Sequence, residues 1–172
     1  MDVGRDLEAM QTFDDVTILE AMGRDSGWLA AASVLGKRRR QDAPHLIYVP
    51  ESPFDEEGFL RDVSEVHTDL GRVFVVVGEG IRDRRGEIVG TSEVRTRTDR
   101  FGHRLTALTA GVASYLSDLV AERLGLQARF LRPGVIGRAF TACISSVDRL
   151  EAHLVGQMAV RDLVEGKSGY MV

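Results

Sequence analysis

Along the chain, runs of β-branched and aliphatic residues alternate with stretches in which apolar positions recur every three or four residues. The first kind, opening at Val16 and recurring at residues 45–49, 73–77 and 128–131, predicts strands, and Pro50, Gly78 and Pro133 end the last three. The second kind predicts helices. Leu7, Met10 and Phe13 stand at i, i+3, i+6; Phe59, Val63, Val66 and Leu70 follow an Asp55 cap and precede Gly71. Leu105, Leu108, Val112, Tyr115, Leu116, Leu119, Val120 and Leu124 trace one long apolar side that Gly125 closes. Leu150, Leu154, Met158 and Leu163 give a last helix its buried side, behind a Ser145/Asp148 capping pattern and before Gly166. Tyr170, Met171 and Val172 begin one more strand. Residues 82–98 are charged with little periodicity, which predicts an exposed hairpin or loop.

Strands alternating with helices predict an α/β fold, a three-layer sandwich with a mainly parallel sheet. No internal repeat or second core is visible, so the 172 residues read as one domain. The pattern is organised around residues 16–35: a strand, a turn in which Gly23 and Gly27 bracket Arg24, Asp25 and Ser26, and an alanine-rich helix that Gly36 closes. A helix begun through such a turn points unpaired N–H groups past the strand end, and Arg24 adds a planar cationic fork suited to a phosphate ester. The same turn serves any α/β domain, with glycines only for backbone geometry. Ligands of open α/β sheets bind beyond the carboxyl ends of the strands, so Met22, Gly23, Arg24 and Glu79 are expected on one rim. Lys37, Arg38, Arg39 and Arg40 read as a solvated helix end.

Composition narrows the picture. With 44% hydrophobic and 28% charged residues the chain is globular, and a net charge of −4 argues against nucleic acid or an anionic membrane as partner. The single Cys143 forms no internal disulfide, the charged start is no secretory signal, and no apolar run spans a bilayer. The cytoplasm is the expected compartment. Four scattered histidines without a Cys/His cluster give no metal site, and His103 beside Asp99 reads as a turn histidine.

Particular wording carries more. Ile18 to Leu35, with Glu20, Met22-Gly23-Arg24 and Gly27-Trp28-Leu29-Ala30, resembles the fructose 6-phosphate-binding segment of the phosphofructokinases, nearest to their pyrophosphate-using branch. Asp42-Ala43-Pro44-His45-Leu46-Ile47-Tyr48-Val49-Pro50-Glu51, Val75-Val76-Val77-Gly78-Glu79-Gly80-Ile81, Asp99-Arg100-Phe101-Gly102-His103 and Gly166-Lys167-Ser168-Gly169-Tyr170-Met171-Val172 look like the same family in the same order. The family's donor half, with its Gly-rich loop and Thr-Ile-Asp-Asn-Asp type motif, has no counterpart here.

The resemblance implies that the chain is the sugar-phosphate half of an enzyme transferring a phosphoryl group from pyrophosphate or ATP to the 1-hydroxyl of fructose 6-phosphate. Residues 1–14 would then be a connecting helix cut at Met1. Met22, Gly23 and Arg24 match the segment that holds the sugar phosphate, and Glu79 the carboxylate that accepts from sugar hydroxyls. Arg129 and Arg138 match two arginines of the 6-phosphate, and Val135 stands where a polar or aromatic contact is common. All three arginines are expected to reach the rim. Asp15 stands where many members carry a phosphate-binding arginine, and the family's Gln-Arg pair reads Gly137-Arg138. The catalytic base and the Mg²⁺ ligands belong to the absent half, so the isolated chain is expected to be inactive and to form homo-oligomers. The alternative is a non-catalytic α/β module that binds a phosphorylated metabolite or a protein partner.

Overall fold

The computed structural model describes residues 2–10, 13–90, 96–98, 104–106 and 111–172. They form two compact units, Met1–Gly134 and Val135–Val172. The first carries helix α1 (Asp2–Ala9), strand β1 (Val16–Ala21), helix α2 (Trp28–Ala32) running into a 3-10 turn (Ser33–Gly36), and strand β2 (Leu46–Tyr48). Helix α3 (Glu56–Leu70), strand β3 (Val73–Gly78), the antiparallel pair β4 (Thr96–Thr98) and β5 (Arg104–Thr106), helix α4 (Val112–Leu124) and strand β6 (Ala128–Leu131) complete it.

Four strands make one parallel sheet in the order β2-β3-β1-β6. Because side chains alternate across a strand, Val16 and Ile18 of β1 and Val73, Val75 and Val77 of β3 face Phe59 and Val63 of α3 and Val112, Leu116 and Val120 of α4. Ala21, Phe74 and Val76 face the other way, against Leu7 of α1 and Ala30 of α2. Both faces of the sheet are therefore covered, which is why β3 reads as an uninterrupted apolar run. This is the expected three-layer α/β arrangement. Helix α3 follows its signals closely: Asp55 accepts from Gly58 N at 3.0 Å, and Gly71 ends it with φ +69.

Three expectations are corrected. Helix α4 begins at Val112, not Leu105, because Leu105 pairs with Arg97 in the β4–β5 hairpin; Leu108 and the motif at residues 99–103 lie outside the described residues. The second unit holds helix α5 (Ile136–Ala139), a 3-10 turn (Thr141–Cys143) and helix α6 (Ser146–Val164), which Ser145 caps by accepting from Asp148 N. One long helix with two short turns makes no second layer, so the expected buried side of α6 is open: Leu150, Leu154, Met158 and Leu163 are all exposed. Tyr170, Met171 and Val172 lie in no strand, and the Tyr170 hydroxyl pairs with Asp162 instead. Among the described residues no helix is long and apolar enough to cross a membrane.

The chain reaches β2 through His45, whose two ring nitrogens are both engaged. Nδ1 accepts from Phe74 N at 2.8 Å, so the ring is neutral, and Nε2 faces the Gln41 carbonyl at 3.2 Å. Burial, with Lys37 and Arg72 nearby, holds its pKa below the ordinary 6.5. The unfolded chain therefore binds this proton first as pH falls. The stabilisation is full above the ordinary value and is lost as pH drops through the lower folded value. Urea titrations at about pH 7.5 and about pH 5.5 should show the wild type losing roughly 0.5 kcal/mol more than His45→Gln, a modest figure because water screens the half-buried ring. Equal losses would refute a role for this ring.

Candidate functional site

Strands β1 and β3 end side by side, with Ala21 opposite Gly78, and Glu79 N donates to the Ala21 carbonyl at 3.0 Å. The chain leaves β1 through residues 22–27. Gly23 has φ +131, and a Cβ there would lie 2.2 Å from the Ser26 carbonyl oxygen, so no other residue fits. Its N–H donates to Glu79 Oε1 at 3.3 Å. Gly80 meets the same turn from the β3 side: a Cβ on it would lie 1.7 Å from the Arg24 carbonyl oxygen. Arg82 ties the loop after β3 to Asp25 at 3.0 Å. Met22, Gly23, Arg24 and Glu79 are thus brought together beyond the strand ends, as expected, with Arg24 exposed. At this rim the Glu79 carboxylate can accept from hydroxyls, and the exposed Arg24 side chain can donate to an oxyanion.

Two of the turn's amides are already engaged within the protein. Helix α2 is only five residues long, the N–H of Gly27 before it donates to Glu51 Oε1 at 2.8 Å, and that of Gly23 is taken by Glu79. Carboxylates at the ends of β2 and β3 thus hold two of the N–H groups at the helix entry.

Arg129 does not join Arg24. It lies opposite Thr17, four residues before Ala21 and so about 13 Å down the strand. Its Nε contacts Thr17 Oγ1 and Asp14 Oδ2, each at 3.2 Å, and its Nη2 pairs with Asp6. Asp15, at the same far end of β1, accepts from Gln127 N at 2.8 Å and faces His67 Nε2 at 3.5 Å, which gives it a structural partner set. Val135 and Arg138 belong to the second unit; Val135 is exposed, and the Arg138 side chain lies outside the described residues.

Glu20 escaped the sequence reading as a working residue. It is buried in β1, with Oε2 accepting from Ala113 N at 2.9 Å and Oε1 from Arg132 Nε at 3.0 Å. A carboxylate inside an apolar strand was the available signal, since such a charge needs partners. Among the described residues no group of three His, Cys, Asp or Glu side chains could hold a metal ion.

With this geometry in hand, the chain matches the family model described as Phosphofructokinase over residues 5–163. It is 39% identical to the pyrophosphate--fructose 6-phosphate 1-phosphotransferase of Rhodospirillum rubrum over 92% of this chain and 40% of that protein. It is 35% identical to the sulfofructose kinase of Alkalicoccus urumqiensis, over 97% of this chain and 41% of the relative. Among solved structures, the pyrophosphate-dependent phosphofructokinase of Marinobacter aquaeolei superposes with a TM-score of 0.72 at 30% identity, over 97% of this chain and 37% of that one. The chain spans about two fifths of the length of the curated relatives it matches. A parallel sheet of this topology, the Met22-Gly23-Arg24 turn against Glu79, and a match along nearly all of its length make the chain a member of the phosphofructokinase family.

Proposed function

We propose that this chain supplies the fructose 6-phosphate site of a pyrophosphate-dependent phosphofructokinase. The observation that carries the reading is the turn bearing Met22, Gly23 and Arg24, held against Glu79 beyond the ends of a parallel sheet. Glu79 accepts from hydroxyls of the sugar, while Arg24 donates to an oxyanion at the same rim. In-line transfer to a sugar hydroxyl is mostly positioning and charge neutralisation, and these two residues provide both for the acceptor.

The donor, the base that takes the hydroxyl proton and the Mg²⁺ of the family reaction fall outside what these residues provide. The described side chains offer no donor set for a metal ion, and no step is assigned to one. The reading therefore makes the isolated chain a binder of acceptor without turnover. Arg138 enters it by resemblance as an arginine of the 6-phosphate, and Val135 by the same resemblance, whereas Arg129, held by Asp6 and Asp14 beside Thr17, does not. Fructose 6-phosphate, pyrophosphate and further copies of the chain are the partners it implies, and the cytoplasm the compartment.

NMR shift mapping and calorimetry with fructose 6-phosphate test it, with sulfofructose, the sugar in the name of the Alkalicoccus relative, as comparison ligand. Shifts should centre on Gly23, Arg24 and Glu79. Arg24→Ala should weaken binding by about 2 kcal/mol, roughly 30-fold, the scale of a charged hydrogen bond, while Arg84→Ala on the exposed turn after β3 changes almost nothing. Low salt is required because the contact is charged and open to water. Equal affinity of the two variants, or no shifts at the three residues, would reject the site.

A further inference from the structure

We infer that Glu51 is a positioning residue of this site: its carboxylate on Gly27 N–H, together with Glu79 on Gly23 N–H, pins both ends of the turn that carries Arg24. The inference rests on the sugar-phosphate reading for its binding consequence, but its geometry stands independently. Glu51 follows Pro50 just past β2, two strands away from β1 in the sheet, so the turn spans from the end of β1 across β3 to the end of β2. Gly27 is seated on that edge. A Cβ on it would lie 2.5 Å from Val49 Cβ and 2.7 Å from Glu51 Oε2, so the backbone packs directly against the end of β2.

Gly27 is also the joint between the turn and α2, since its carbonyl accepts from Ala31 N at 2.8 Å. A five-residue helix has little stability of its own, and Gly27 offers no side-chain cap. What holds the helix start, and with it the far end of the turn, is a carboxylate from another strand end. At the near end Glu79 does the same for Gly23, and the contact of Gly80 with the Arg24 carbonyl fills the middle. Three fixed points over six residues leave the backbone of Arg24 one position. Without the Glu51 contact the far end is free to shift, and a displacement of about 1 Å at a positioned group is enough to cost up to about a hundredfold.

The test compares Glu51→Ala, which removes the acceptor, with Glu51→Gln, which keeps an oxygen for Gly27 N–H. In Glu51→Ala the amide signals of Gly23 and Arg24 should move and exchange faster with solvent, although the hydrogen bond lost is that of Gly27, and fructose 6-phosphate should bind roughly tenfold more weakly. Glu51→Gln should restore the amide signals and bring affinity to within about twofold of wild type, and the Phe74 amide on His45 should stay unchanged in both variants. Unaltered Gly23 and Arg24 signals in Glu51→Ala, or a Glu51→Gln variant as impaired as Glu51→Ala, would overturn the inference. If wild type binds no fructose 6-phosphate, the sugar-phosphate reading falls, and the amide shifts and exchange rates alone decide the role of Glu51.

Discussion

Replacing Glu20 with alanine should destabilise the first unit by about 2–3 kcal/mol, the cost of leaving the buried Ala113 N–H without its acceptor beside a new cavity, since Arg132 at the other end of the ion pair is open to water. The carboxylate is placed where three elements meet. It sits in the central strand β1, takes the Ala113 N–H at the start of α4, and pairs with Arg132 just after β6. The contact is tight enough to specify its neighbour: Gly111, with φ +82, would put a Cβ 2.6 Å from Glu20 Oε2 and 2.8 Å from Arg132 Cζ. Alanine at position 20 deprives one buried N–H and one guanidinium edge of this acceptor, and leaves a space that Gly111 cannot fill. Glu20→Gln keeps one oxygen but turns an amide donor toward a cation, so an intermediate loss is expected. Urea unfolding followed at β1 signals, with hydrogen exchange at Ala113, would measure both. A loss in Glu20→Ala below about 1 kcal/mol would show that water replaces the carboxylate at no great cost.

Gly80→Ala should cost about 3 kcal/mol and displace Arg24 as well, the upper end of the overpacking range. The mechanism is overlap, not backbone conformation, because Gly80 is absent from the left-handed glycines of this chain. A methyl group there would lie 1.7 Å from the Arg24 carbonyl oxygen and 2.7 Å from its Cα. Those are backbone atoms of a turn that Glu79 and Glu51 hold from either end, so no side-chain rotation relieves the clash. Gly71→Ala separates the two effects. Gly71 has φ +69, but a methyl group on it would meet nothing within 4 Å, so only its conformational cost of about 1 kcal/mol should appear. Fructose 6-phosphate titration of both variants then isolates the site. Gly80→Ala should lose binding while Gly71→Ala keeps it, and equal behaviour would mean that the contact between the two turns does not set the position of Arg24.

The elements legible from the residues alone are those whose signals are local. Asp55 and Gly71 bound α3 because a cap and a left-handed terminus need only their own turn, and Val73 to Val77 form β3 because every position in it is apolar. Met22, Gly23, Arg24 and Glu79 met at one rim because parallel strands carry their following turns to the same end of the sheet. Where a side chain goes from there depends on partners distant in the chain. Arg129 was expected at the rim by its likeness to phosphate-binding arginines, yet Asp6 and Asp14 hold it beside Thr17. Leu105 continues the spacing of α4 but is claimed by pairing with Arg97, and the apolar side of α6 has no second layer in its own unit. The Gly27 amide, open to an anion by the local pattern, is met by Glu51 from 24 residues away. Periodicity and caps act within a turn or two of chain, so they define elements and the end of the sheet where a site forms; hydrogen bonds between strand ends, which no local pattern encodes, decide which of its charges face a ligand and which face each other.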